Sequence, residues 1–221
     1  MFKRWVSFAL NILFPQKCMV CKKGESLLCL DCAQKTKLAE PTKLGNIFSA
    51  ANYHDPIIKK SIWLLKYRGI KSIAKPLAEL IFLRLCMHLN IEPLNAEDEF
   101  LDPLEWLIIP IPLSKKRFKE RGYNQTELIA KNISDKTKIP LALDVLYKNR
   151  HTETQVSIKN KAERIANLKN VFGVKNRGAM RNKNIILIDD VTTTGTTIAE
   201  ATRTLKLSGA QKILALTVAR D

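Results

Sequence analysis

The segment from Ile185 to Thr197, IILIDDVTTTGTT, constrains the fold more than any other part of the chain. Its first four residues form an unbroken apolar run. The run is too short for a helix, and its β-branched residues suit a strand buried on both faces. Two carboxylates follow, Asp189 and Asp190, then Val191. Next comes a hydroxyl-rich loop around one glycine: Thr192, Thr193, Thr194, Gly195, Thr196 and Thr197. Beyond it Ile198, Ala201, Thr202 and Leu205 recur at helical spacing, Ser208-Gly209 reads as a helix stop, and Ile213 to Ala219 is a second apolar run. That order spells a β-loop-α-β unit, in which a ligand sits beyond the carboxyl end of the first strand.

The loop has the chemistry of an anion cradle. It combines threonine hydroxyls, a glycine that permits close backbone approach, and free N–H groups at a helix N-terminus. One phosphate would fill it. The adjacent acids would repel phosphate, but they suit the hydroxyls of a sugar attached to it, or a Mg²⁺ ion held through water. The local reading is a ribose-5-phosphate site. Neither G-x-x-x-x-G-K-[ST] nor G-x-G-x-x-G occurs in the chain. An ordinary β-α turn is the plain alternative, and it requires neither two acids nor so many threonines.

The segment resembles the phosphoribosyl-pyrophosphate (PRPP) motif of the type I phosphoribosyltransferases. By that resemblance Asp189 and Asp190 face the ribose hydroxyls at the catalytic centre. Thr193 to Thr197 hold the 5-phosphate, Thr192 completes the PRPP site, and Mg²⁺ accompanies the ligand.

The chain of 221 residues, 46% hydrophobic, can bury one good core and a small appendage. Thirty-seven Lys plus Arg against 21 Asp plus Glu leave a formal charge of +16, spread from Lys3 to Arg220. A polyphosphate ligand accounts for charge around one pocket. Charge along the whole chain points to nucleic acid, with a basic solvated surface as the alternative. No run approaches the roughly 20 apolar residues of a membrane span. MFKRWVSFALNILFP begins like a signal peptide, but no small-x-small cleavage site ends it. Trp5, Phe8, Ala9, Ile12 and Leu13 share one helical stripe, so an amphipathic helix packed on the protein is expected, in a cytoplasmic chain.

Cys18-x-x-Cys21 and Cys29-x-x-Cys32 lie close together in an otherwise cysteine-poor sequence. They read as four thiolates on one Zn²⁺, structural because four Cys ligands leave no open position. Paired disulfides and an iron–sulfur cluster are the alternatives. Cys86, among Leu83, Leu85 and Met87, reads as core.

Further elements follow in order. Phe48 to Tyr53 reads as a strand, and Ile58, Ile62 and Leu65 mark one helix, ending in LKYRG at Leu65 to Gly69. Leu77, Leu80, Ile81 and Leu85 mark another. Glu92 to Pro103 reads as an exposed acidic loop. Trp106 to Ile109 is a short buried strand, stiffened at its end by Pro110 and Pro112. The run from Ser114 to Gln125 crowds Lys115, Arg117 and Arg121 with two more lysines around one glycine, then feeds a helix beginning near Asn124 or Gln125. Such a run can bind a diphosphate or contact a nucleic-acid backbone. Leu141 to Leu146 reads as the next strand, Lys148 to Asn170 as a long polar excursion, and Val171 to Gly173 as a strand returning to the sheet.

Taken together these parts resemble the ComF/ComFC family of bacterial competence proteins. The resemblance rests on FPxxCxxC at Phe14 to Cys21, the second C-x-x-C, LKYRG, and IPIPLxxxRxxxRGYNQ at Ile109 to Gln125. It continues through Thr154-Gln155, Glu163-Arg164 and Asn170-Val171-Phe172 into the PRPP loop. It implies an α/β fold of type I phosphoribosyltransferase kind, a mostly parallel sheet flanked by helices, with a small N-terminal zinc-finger module. Residues 1–43 would carry the amphipathic helix and the four-cysteine zinc module, and residues 44–221 the phosphoribosyltransferase-like domain. The first C-x-x-C lacks the glycine often found directly after such a knuckle; Gly24 comes two residues late.

The same resemblance sets Ile109 to Leu113 against the diphosphate and closes Lys148 to Lys169 over the reacting centre. The reaction it implies is displacement of Mg²⁺-bound pyrophosphate from the anomeric carbon by a nitrogen nucleophile. It also implies a role in natural transformation, with single-stranded DNA and competence-machinery proteins as partners. Tyr67, Phe118 and Tyr123 are candidates to stack bases, with core packing the alternative for each of them. A metabolic phosphoribosyltransferase acting on a small acceptor, or a PRPP sensor without chemistry, are the competing expectations.

Overall fold

The structure, a computed structural model, describes residues 17–24, 26–40, 45–89, 103–149 and 171–221. The stripe from Trp5 to Leu13, residues 92–102 of the acidic stretch, and residues 150–170 of the polar excursion lie outside the described residues.

The first elements are α1 (Leu30–Gln34), β1 (Ile47–Asn52), α2 (Pro56–Tyr67) and α3 (Ala74–Leu89). Then come β2 (Trp106–Pro110), α4 (Lys115–Arg121), α5 (Gln125–Thr137), β3 (Leu146–Lys148) and β4 (Phe172–Val174). The chain ends with β5 (Asn184–Thr192), α6 (Thr196–Leu207) and β6 (Ile213–Arg220). Four strands make one sheet in the order β1-β6-β5-β2, every pair parallel.

β5 lies inside this sheet, and its apolar run shows why. Side chains alternate across a strand. Ile186 and Ile188 enter the core under α3 and α5, while Ile185 and Leu187 enter the core under α6. All four are fully buried. A polar residue at any of them would sit in one core or the other without a partner. α2 contributes Ile58, Ile62 and Leu65 to the first core, and Asp55 starts that helix by accepting from Ile57 N at 2.9 Å and Ile58 N at 3.2 Å. Pro56 at the first helical position supplies a φ already suited to the turn.

The segment around the cysteines packs on the same face, with Cys18, Leu28, Cys32 and Ala33 buried in the first core. The buried guanidinium of Arg84 on α3 ties the chain leaving it. That group donates to the carbonyls of Ala50 at 2.8 Å, Thr36 at 2.7 Å and Gln34 at 3.1 Å.

Two strand expectations change. Leu141 makes only a single parallel bridge to Ile108, after which the chain bends away and buries Val145 and Leu146 in the second core. Leu146–Lys148 then pairs antiparallel with Phe172–Val174, so the returning segment forms a separate hairpin beneath α6 rather than a strand of the main sheet. Among the described residues no helix is long and apolar enough to cross a membrane.

Candidate functional site

β5 runs further than its apolar residues. Asp189, Val191 and Thr192 remain in register with Thr217, Ala219 and Arg220 of β6. The hydroxyl segment is therefore divided: Thr192 is buried at the strand end, Thr193, Thr194 and Gly195 form a three-residue loop, and Thr196 and Thr197 open α6. Gly195 has φ 75°, a left-handed conformation that costs an L-residue about 1–2 kcal/mol. It caps α6 without a side-chain hydrogen bond, so the first N–H groups of that helix have no side-chain cap. The hydroxyls of Thr194 and Thr196 hydrogen-bond to each other. Exposed hydroxyls at the positive end of a three-turn helix can hold an anion.

Strand alternation sends the two acids to opposite faces. Asp190, 4% exposed, points towards α2 and α5. Lys66 Nζ stands 2.7 Å from its Oδ1, and the Gln125 side-chain amide donates to its Oδ2. Arg121 in turn donates to Gln125 Oε1, and the Tyr123 hydroxyl donates to the carbonyl of Leu65, next to Lys66. The last turn of α2 is thus knitted to the junction between α4 and α5 around one carboxylate. Asp189 accepts the N–H of Asp190 at 2.8 Å. Desolvation, and then the like charge of Asp190, push the Asp189 carboxyl up to about 7, opposed by that N–H and by Lys66 and Lys148.

The basic run folds as α4, a seven-residue helix with no buried residue, capped by Ser114 and ended by Gly122 at φ 77°. Its cations divide between two clefts. Arg117 and Arg121 join Lys66, Tyr67, Glu120 and Tyr123 around an open cleft of about 390 Å³ beside Asp190. Lys115 lies on the other side of α4, in a cleft of about 540 Å³ with Pro112, Leu113 and Phe118. The segment after β2 is held by Ile111, whose carbonyl accepts from Asn124 Nδ2 at 3.1 Å and Thr126 Oγ1 at 2.6 Å.

Sequence reasoning did not single out Lys66 or Gln125 at this site, although Lys66 lies in the LKYRG segment, and it named Lys148 as no more than the start of the loop over the reacting centre. It also treated Tyr123 as a candidate stacking residue. Burial to 9% and the bond to Leu65 make Tyr123 part of the scaffold instead, while Tyr67 and Phe118 are exposed.

At the other end of the chain the four cysteines converge. Their sulfur atoms all lie within 4.8 Å of one another, and Cys21 Sγ is 3.7 Å from Cys29 Sγ. A tetrahedron of sulfurs about 2.3 Å from a central Zn²⁺ has edges of about 3.8 Å, so the donor set fits a metal of that size. All five cysteines are free thiols. The Cys29 N–H points at Cys18 Sγ at 3.5 Å. Burial pushes the Cys18 thiol up, but N–H groups of Cys29, Cys21 and Val20 bring it down to about 6. Lys22 occupies the left-handed position after the first knuckle at φ 64°, and Gly24 follows at φ 76°.

The family described as Phosphoribosyl transferase domain matches residues 125–221, from α5 through β6. Competence protein ComFC of Bacillus subtilis (strain 168) is 29% identical over 195 residues, covering 87% of this chain and 72% of that protein. Competence protein F of Haemophilus influenzae is 35% identical over 114 residues, covering 51% of this chain and 49% of that one. DNA utilization protein YhgH of Escherichia coli O157:H7 is 26% identical over 208 residues, covering 89% and 86%. The parallel sheet flanked by helices is a type I phosphoribosyltransferase-like fold with a four-cysteine cluster ahead of it, and the names of these relatives support membership of the ComF family of competence proteins.

Proposed function

We propose that this chain binds PRPP with Mg²⁺ at the loop after β5 and acts in the cytoplasm on incoming DNA during natural transformation. The observation that carries the reading is the junction of β5 and α6, where an acid pair lies near the end of one element and a helix N-terminus without a side-chain cap, rich in threonine hydroxyls, begins the next. Ribose hydroxyls donate to Asp189 and Asp190, and Thr192 to Thr197, with Gly195, enclose the 5-phosphate. Mg²⁺ bound with the ligand would neutralise charge on the diphosphate. Arg117 and Arg121 are placed to meet the diphosphate or a DNA backbone, while Lys115, on the far side of α4, suits the backbone alone.

The protein in this reading is a phosphoribosyltransferase whose residues position the ligand, stabilise the leaving charge and exclude water; no side chain needs to act as nucleophile. Residues 1–43 form a module held by structural Zn²⁺ on Cys18, Cys21, Cys29 and Cys32. Residues 44–221 form the phosphoribosyltransferase-like domain. Single-stranded DNA and proteins of the competence machinery are its partners, and the names of the relatives support that assignment.

Thermal unfolding tests the ligand assignment. PRPP with Mg²⁺ should raise Tm in the wild type, by linkage to binding of the folded state. No shift at millimolar ligand would reject it. Release of pyrophosphate with candidate nitrogen nucleophiles separates a working transferase from a PRPP sensor.

A further inference from the structure

α2 turns two large aromatic side chains to solvent. Trp63 is 47% exposed and Tyr67 is 69% exposed. They are four residues apart, on one helical face about 6 Å apart along the axis. The inward face of α2 is occupied by Ile58, Ile62 and Leu65, so these rings contribute nothing to the core. An arginine stands by each: Arg68 lies 5.7 Å from the Trp63 ring centre, and Arg121 lies 5.7 Å from that of Tyr67. Lys59 and Lys60 extend the same exposed face. From Pro56 to Ala78 the chain carries six cations and no acid. Aromatic faces interleaved with cations match unpaired bases linked by phosphates.

The same helix is tied to the acid pair. Lys66 pairs with Asp190, and Arg121 reaches both Tyr67 and, through Gln125, Asp190. Both oxygens of Asp190 already have a partner, Lys66 on Oδ1 and Gln125 on Oδ2, so a ribose hydroxyl that reaches it shares the carboxylate with them. A polyphosphate ligand arriving beside Lys66 and Arg121 draws on cations that otherwise border the aromatic face.

We infer that the outward face of α2, centred on Trp63 and Tyr67, is a base-stacking surface for single-stranded DNA, and that PRPP and DNA antagonise each other through Lys66 and Arg121. The coupling rests on the PRPP reading given above; the stacking surface does not. DNA rather than RNA is the ligand because the relatives bear the names of competence and DNA utilization proteins.

The test is fluorescence anisotropy of a labelled oligo(dT) of about 20 nucleotides with the full, zinc-loaded chain, with and without PRPP and Mg²⁺. Trp63→Ala should weaken oligo(dT) binding roughly tenfold and leave PRPP affinity unchanged, because Trp63 does not line the cleft that holds Lys66, Arg117 and Arg121. PRPP should weaken oligo(dT) binding in the wild type by about fivefold or more, and oligo(dT) should weaken PRPP binding by the same factor. Unchanged oligo(dT) affinity in Trp63→Ala would overturn the stacking surface, and tighter binding of oligo(U) than oligo(dT) would overturn its assignment to DNA. PRPP bound with oligo(dT) affinity unchanged or raised would overturn the antagonism alone. Failure of PRPP to bind would remove the PRPP reading and the antagonism together, leaving the Trp63 result to decide the surface.

Discussion

Lys66 Nζ lies 2.7 Å from Asp190 Oδ1, and this pair joins the last turn of α2 to the end of the central strand β5. The lysine side chain is 21% exposed and the aspartate 6%. Lys66→Met would leave a carboxylate largely out of water with, among the described residues, Gln125 alone as a side-chain partner. It should cost about 2–4 kcal/mol in urea unfolding at pH 7.5, while Lys66→Arg should retain most of the stability. A Met variant as stable as the wild type would mean that solvent screens the pair.

Asp189 should set a pH dependence of opposite sense to an ordinary ion pair. Its folded-state pKa is raised from 3.8 to about 7, so between those values the folded chain holds a proton that the unfolded chain has released. Stability from this group is complete below about pH 4 and is lost as pH rises through 7. A shift from 3.8 to 7 corresponds to roughly 4 kcal/mol at 1.36 kcal/mol per unit. Asp189→Asn should therefore be more stable than the wild type at pH 8, by roughly 2–4 kcal/mol. The advantage should vanish near pH 4, as read by denaturant titrations at both pH values. A gain independent of pH would contradict the electrostatic cause.

Gly195→Ala isolates the backbone requirement of the loop. At φ 75° the added methyl should cost about 1–2 kcal/mol of stability. The loop should relax away from the left-handed conformation, with loss of PRPP-induced stabilisation. Unchanged PRPP-dependent Tm would show that the threonine hydroxyls suffice without this backbone geometry.

The cysteine cluster offers a test in the stabilising direction. Lys22 sits at φ 64°, where glycine is favoured, and among the described residues its exposed ammonium donates to Met19 O alone, at 3.3 Å. Lys22→Gly should stabilise the zinc-loaded protein by about 0.5–1 kcal/mol, whereas Gly24→Ala, at φ 76°, should lose about 1 kcal/mol. Metal analysis should find one Zn²⁺ per chain. Chelation should destabilise the whole protein, because Cys18, Leu28, Cys32 and Ala33 belong to the first core. Full stability without metal would contradict a structural role.

Local chemistry was legible in the sequence where it was contiguous. The run Ile185 to Ile188 announced a strand buried on both faces, the Thr/Gly loop announced a helix N-terminus, and the cysteine spacing announced one cluster. Contacts created by packing were less so. Lys66 meets Asp190 because α2 lies over the end of β5, and nothing in the local pattern of either segment records that crossing. Tyr123, between Gly122 and Asn124, could by its sequence either stack or pack, and it is tertiary packing that turns its hydroxyl onto Leu65. Leu141 to Leu146 looked like one apolar strand because periodicity does not show where a chain leaves one sheet for another. Trp63 was readable in principle, since Ile58, Ile62 and Leu65 define the opposite face of its helix.

The central claim is the ribose-5-phosphate site at the end of β5, and isothermal titration of PRPP with Mg²⁺ tests it most directly. The zinc-loaded wild type should bind one PRPP per chain, and the Asp189→Asn/Asp190→Asn double variant, folded and zinc-loaded, should not. No binding by the folded wild type would contradict the account and leave the basic and aromatic surface as the primary functional feature.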